Sequence, residues 1–161
     1  MNSDLPVVCL GEALIDRLGP PGGDPAIDGP VDDRLGGAPA NVACGLARLG
    51  TSVAFLGRLG ADAIGDRFAT LFLQRGVDVD SVQRDAKRPS RTVLVRRSAD
   101  GERQFRGFAG DEGLGFADQA LASVELPKQA RWLLTGTLPL AAHASADSLR
   151  GAVAQSKARG I

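Results

Sequence analysis

The run Gly36-Gly37-Ala38-Pro39-Ala40-Asn41 constrains this chain more tightly than any other stretch. Two consecutive glycines let backbone N–H groups face a neighbour with no Cβ in the way. Pro39 suits a first helical turn, where a missing N–H costs nothing. The spacing of Val42, Leu46 and Leu49 predicts a helix over Ala40–Leu49, with Gly50 just past its end. A glycine pair at the mouth of a helix is a place where a polar ligand can meet free N–H groups. Asn41 adds a donor and an acceptor suited to a polyol hydroxyl. The same residues also suit a tight turn before a helix that binds nothing.

The flanking pattern sets the fold class. Leu5–Leu10 reads as a short buried strand and Thr51–Leu56 as a second. Ile64, Phe68, Leu71 and Phe72 space as one helix face, closed by Gly76. Strand, helix, strand, helix predicts an α/β fold with a partly parallel sheet flanked by helices. Gly19–Gly29 holds Pro20, Pro21, Gly22, Gly23 and Pro25 and reads as a loop. The acids Asp32, Asp33, Asp78 and Asp80 read as solvated loop residues. The rhythm then changes. Arg91–Arg97 alternates Val93 and Val95 against Thr92, Leu94 and Arg96. Asp100-Gly101 is a two-residue hairpin signal, followed by Glu102–Phe108. This predicts a β-hairpin standing apart from the main sheet. Ala117–Ser123 reads as a short helix, Ala130–Leu134 as a strand ending at Thr135-Gly136, and Ser145–Arg159 as a helix stopped by Gly160. Ile161 is expected to open a further strand, leaving an open sheet edge and a tendency to self-associate.

Composition removes several function classes. At 161 residues the chain suits one domain, and 43% hydrophobic residues can form a core. Lys plus Arg and Asp plus Glu each count 19, so there is no basic footprint for nucleic acid or an anionic membrane. Aromatic residues make up 4%, too few for a base-stacking platform. Cys9 and Cys44 lack CxxC spacing and read as reduced, buried thiols. No basic leader and no apolar run of roughly 20 residues is present, so a cytoplasmic protein without nucleic-acid or membrane partners is expected. No cluster has zinc spacing, no metal site is expected, and His143 reads as a surface residue beside a helix start. A dinucleotide fold would need GxGxxG after the first strand, where Gly11-Glu12-Ala13 stands instead. No GxxxxGK[ST] string occurs.

Gly11-Glu12-Ala13-Leu14-Ile15-Asp16 follows the first strand directly. Ligands of open α/β sheets bind beyond the carboxyl ends of strands. A carboxylate there can accept hydrogen bonds from a sugar diol, or be a solvated loop acid.

Together these stretches resemble the sugar kinases of the ribokinase (PfkB) family. Gly36, Gly37, Pro39, Asn41, Ala43, Gly50 and Gly60 meet the family's N-terminal signature at its fixed spacing. The wording "GEALID", "GGAPANVACGLARLG" and "FLGRLGADAIG" is most similar to the fructokinase branch. The resemblance implies an incomplete Rossmann-like ribokinase fold with lid segments around 12–35 and 91–108. It implies Asp16, Gly36, Gly37 and Asn41 as sugar-binding residues. Phe105 or Phe108 would wall the sugar or pack in the core, and Arg106 would reach substrate or stay solvated. Where many fructokinases carry two acids, this chain has Gly60-Ala61-Asp62, which leaves Asp62 to cap the next helix.

The family's chemistry is transfer of the ATP γ-phosphate to a sugar hydroxyl with Mg2+. Its second signature, a Gly-Ala-Gly-Asp turn opening a helix, supplies the base and an anion hole. Ala109-Gly110-Asp111 looks superficially like it but is followed by Glu112-Gly113-Leu114-Gly115 and no helical pattern. The resemblance therefore implies that the catalytic base and ATP site lie beyond Ile161, so that residues 1–161 form an inactive sugar-binding N-terminal part that holds no cofactor tightly. Fructose is the expected sugar, with ribose, 2-keto-3-deoxygluconate or a nucleoside as alternatives. A homodimer through the hairpin lid is a further expectation. A non-catalytic sugar- or partner-binding module, or a truncated remnant, is the competing reading.

Overall fold

The computed structural model describes residues 6–110 and 115–161. Leu5 and the stretch from Asp111 to Leu114 lie outside the described residues. In chain order the elements are β1 (Val7–Leu10), β2 (Leu14–Pro21), β3 (Asp32–Gly36), α1 (Ala38–Arg48), β4 (Val53–Leu56), β5 (Arg58–Gly60), α2 (Ala63–Arg75), β6 (Gln83–Asp85), β7 (Thr92–Arg97), β8 (Arg103–Phe108), β9 (Trp132–Thr135) and α3 (His143–Arg159). Two short 3-10 turns, Ala117–Ala120 and Leu138–Ala141, complete the list.

The main sheet has the order β4-β1-β9, parallel throughout. β1 is central, and Val8, Cys9 and Leu10 are fully buried. Alternation along β1 divides the core in two. Val8 and Leu10 face Leu121, Val124, Leu126 and the Leu149/Ala152 side of α3. Cys9 faces Ala40 and Ala43 of α1 and Phe68 and Phe72 of α2. Phe72 stacks on Phe55 at 4.8 Å and on Phe68 at 5.6 Å between ring centroids. Burial on both faces explains why β1 reads as an unbroken apolar run. Both cysteines are free thiols, and burial pushes the Cys9 thiol up to about 11.

The helix signals match the structure closely. Pro39 lies in the first turn of α1, Asp62 caps α2 by accepting from Gly65 N–H at 2.8 Å, and Gly76 and Gly160 end α2 and α3 in left-handed conformation. The predicted helix at Ala117–Ser123 is only a 3-10 turn over Ala117–Ala120.

A second sheet, order β3-β2-β7-β8, stands apart from the first. The hairpin β7–β8 was expected, but its loop has three residues, Ala99–Gly101, not two. Ser98 N–H donates to Glu102 and Gly101 N–H to Ser98, with Gly101 at φ +91°. This is the turn-plus-left-handed-glycine form of hairpin loop. The expected loop over Gly19–Gly29 is corrected at its start, because β2 continues to Pro21. Asp32 and Asp33 are also strand residues and not loop acids. Each ion-pairs with an arginine, Asp33 with Arg17 at 2.7 Å across the strands and Asp32 with Arg34 at 2.7 Å. Cross-strand charge pairing supports a strand whose residue types alone do not. The short parallel pair β5–β6 was likewise unexpected.

β9 is the open edge of the main sheet among the described residues, and its Trp132 is 71% exposed. No helix of the described residues is long and apolar enough to cross a membrane.

Candidate functional site

β1 ends at Leu10, and the chain turns through Gly11, Glu12 and Ala13 into β2. This turn lies against the N-terminus of α1 and the segment after β9. A Cβ at Gly37 (φ +100°) would meet the Glu12 carbonyl oxygen at 2.6 Å, so only glycine fits there. A Cβ at Gly136 would meet Glu12 Oε2 at 2.1 Å and Pro39 Cγ at 2.8 Å. The strand ends and the helix mouth thus pack backbone to backbone.

Strand register places the sequence-predicted residues. Asp16 of β2 pairs with Val93 of β7, and Val93 pairs with Phe108 of β8. Residues opposite one another in a sheet share a face, so Asp16 and Phe108 lie on one face, roughly 10 Å apart. Gly36 belongs to that face through its pairing with Leu14, two residues before Asp16. The absence of a side chain at Gly36 leaves space for the Asp16 carboxylate, whose Oδ2 lies 2.7 Å from where a Cβ would stand.

Phe105 and Phe108 are three residues apart, so a regular strand would place them on opposite faces. A bulge prevents that. Leu94 pairs with Gly107 and Val95 with Phe105, which leaves Arg106 as the extra residue beside Gly107 at φ +119°. The two rings therefore meet edge to face at 5.4 Å. Arg106 is exposed on the bulge. Arg103, two residues before Phe105, shares the Asp16 face and acts electrostatically on Asp16. Asn41 is exposed in the first turn of α1, its N–H bonded to Gly37 carbonyl at 2.9 Å. One surface thus carries Asp16, Gly36, Phe105 and Phe108, with Gly37 and Asn41 at its border and Arg106 standing off it.

Two acids here differ from the rest. No hydrogen bond to the Asp16 carboxylate forms among the described residues, and burial raises its pKa while Arg103 draws it down. Glu12 is 5% exposed, and its Oε2 is the only buried side-chain N or O atom among the described residues without a hydrogen-bond partner. Burial raises the Glu12 pKa. Its own N–H lowers it, Asp118 pushes it up, and Arg91 and the Ala38 N–H pull it down.

The foot of the second sheet is different. Arg91, 2% exposed, makes two hydrogen bonds to Asp118, at 2.7 and 3.1 Å. Its guanidinium lies over the Phe108 ring at 4.7 Å and the Phe116 ring at 4.9 Å. Arg91 carbonyl also accepts from Ile15 N–H at 2.9 Å, so this residue ties the start of β7 to β2. Sequence reasoning did not single out Glu12, Arg91, Arg103 or Gly136. For Arg103 the signal was strand parity, and for Arg91 a charge at the head of an apolar alternation.

Among the described residues no group of three or more His, Cys, Asp and Glu side chains can hold a metal ion. The α1 mouth offers carboxylates and N–H groups, which fit a neutral polyol; a nucleotide phosphate would be repelled by the acids.

Comparison with known proteins shows the family. The model of the pfkB family carbohydrate kinases matches residues 5–158. The Escherichia coli fructokinase is 36% identical over 141 residues, which are 86% of this chain and 43% of that protein. The structure of Halothermothrix orenii fructokinase superposes with a TM-score of 0.81 at 26% identity, covering 97% of this chain and 55% of that one. A fructokinase from Vibrio cholerae, solved with fructose, ADP and calcium ion bound, gives a TM-score of 0.75 at 27% identity over 98% of this chain and 48% of that one. The chain thus spans about half the length of the relatives it matches. It belongs to the pfkB family of carbohydrate kinases.

Proposed function

We propose that this chain provides the sugar-binding part of a fructokinase-like enzyme that transfers the γ-phosphate of ATP to a sugar hydroxyl. The observation that carries the proposal is Asp16, a half-buried carboxylate without a partner among the described residues, set over Gly36 at the mouth of α1. A buried acceptor left free of protein donors suits a ligand that brings its own hydroxyls. Gly37 and Asn41 border the same surface, and Phe105 and Phe108 offer an apolar wall. Fructose is the preferred sugar, because the named relatives are fructokinases.

In this reading ATP and Mg2+ supply the transferred phosphoryl group, and residues 1–161 bind and shield the sugar. Closing the lid excludes water, which otherwise competes as acceptor. Phe105, 65% exposed on the edge strand β8, is the surface on which a second copy would dock.

Calorimetric titration with fructose, ribose, 2-keto-3-deoxygluconate and a nucleoside tests the site, and a coupled assay tests turnover. Fructose binding without fructose-dependent ATP consumption is expected of this chain alone. Absence of binding to every sugar would overturn the site. Turnover would overturn the inactive part of the reading.

A further inference from the structure

We propose that Glu12 is a positioning residue of the sugar site: its carboxyl, lodged between the first turn of α1 and Gly136, sets where Gly37 and Asn41 meet the ligand. The inference rests on the sugar-binding reading of that site.

Three contacts support it. The Glu12 carbonyl oxygen occupies the space that a Cβ at Gly37 would need, 2.6 Å away. Pro39 Cγ, in the first turn of α1, reaches the same Cβ position at Gly136 as the Glu12 carboxyl, 2.8 Å away. Oε2 occupies the space of a Cβ at Gly136, 2.1 Å away. One residue therefore forces glycine on two separate segments and contacts the helix mouth between them. Gly11, immediately before it, is confined too: a Cβ there would meet Pro39 Cγ at 2.8 Å and Gly136 N at 3.1 Å. A smaller side chain at position 12 leaves α1 free to settle towards the segment at Gly136. Gly37 and Asn41 move with it, because Asn41 N–H is tied to Gly37 carbonyl at 2.9 Å.

A merely space-filling carboxyl in such a place is costly. A buried polar atom without a partner lowers stability. An apolar residue of similar size would fill the same volume without that cost. What it would lack is Oε2, an acceptor beside the first turn of α1 that no donor among the described residues takes up. The charged groups that act on Glu12 are Asp118 on the turn Ala117–Ala120 and Arg91 at the head of β7. These two already neutralise each other as an ion pair at 2.7 Å.

The test uses the full chain and the substitutions Glu12→Gln, Glu12→Leu and Gly136→Ala, with fructose titrations and backbone amide spectra. Glu12→Leu and Gly136→Ala are expected to weaken fructose binding by about tenfold, with Glu12→Gln restoring most of the loss. Amide resonances of Gly37 and Ala38 are expected to titrate with the Glu12 carboxyl in the wild type and to be flat in Glu12→Gln. Fructose affinity in Glu12→Leu within about twofold of the wild type, with the chain folded, would overturn the proposal. If the wild type binds no sugar, the sugar reading fails separately. The amide spectra then decide: unmoved Gly37 and Asn41 resonances in both Glu12→Gln and Glu12→Leu would overturn the positioning role. If Glu12→Leu fails to fold, the Glu12→Gln spectra carry the same decision.

Discussion

The acids at the foot of the second sheet and the acids at the mouth of α1 each include buried and half-buried members but are opposite in their bonding. At the foot, Asp118 is held by two bonds from Arg91, and Asp62 takes Gly65 N–H, Ser90 N–H and the Ser90 hydroxyl. Asp85 accepts from the N–H groups of Lys87 and Arg88 and from the side chains of Arg58 and Arg88. At the mouth, Asp16 has no bond to its carboxylate among the described residues and Glu12 leaves one oxygen unpaired. The pKa directions divide the same way. Lys87 N–H leads in holding Asp85 down to about 2, and at Asp62 the bonded donors outweigh burial. Burial raises Asp16 and Glu12. Saturated acids hold the fold together, and on the proposed sugar-site reading the acids kept short of donors are where a ligand completes the bonding.

This contrast is open to test, and the largest effect is expected at the foot. Asp118→Ala leaves Arg91 buried without its partner, which costs about 3–5 kcal/mol. Urea denaturation should show that loss, and the variant should still be the least stable of the set. Asp62→Ala removes a helix cap and the anchor of Ser90, a loss of about 1–2 kcal/mol by the same measurement. Asp16→Asn should behave in the opposite manner. Its stability should be unchanged or higher, while fructose affinity falls by about tenfold or more. A large stability loss in Asp16→Asn would place Asp16 with the structural acids.

Acid and base titration of stability sharpens the contrast further. Asp85 is depressed, so its contribution is complete above the ordinary value of 3.8 and is lost as pH falls toward about 2. Glu12 is raised, so the folded chain keeps a proton that the unfolded chain releases. Its effect has the other sign: stability declines as pH rises from the ordinary value of 4.5 through the raised one. The slope for one proton is at most about 1.4 kcal/mol per pH unit, the smallest of these effects. Glu12→Gln should remove that decline and leave the acid limb set by Asp85 in place.

Much of this was legible in the residues. The paired glycines, Pro39 and Asn41 located the helix mouth, and the alternation around Val93 located the lid hairpin, because these features depend on local backbone and side-chain period. β2 and β3 were not legible. Pro20, Pro21, Asp32 and Asp33 are poor strand formers, and they lie in a sheet through register and the Arg17–Asp33 pair. The shared face of Phe105 and Phe108 depended on a bulge at Arg106, which their spacing alone argues against. Glu12 drew no reading of its own because nothing local to it announces that Gly136, more than a hundred residues later, closes over it.

The most direct test of the sugar-site reading is an amide-resolved titration of this chain with fructose. The account predicts saturable shifts at Asp16, Gly36, Gly37 and Asn41 whose midpoint moves to about tenfold or more higher fructose in Asp16→Asn. Shifts absent from these four residues, or identical in Asp16→Asn, would contradict it.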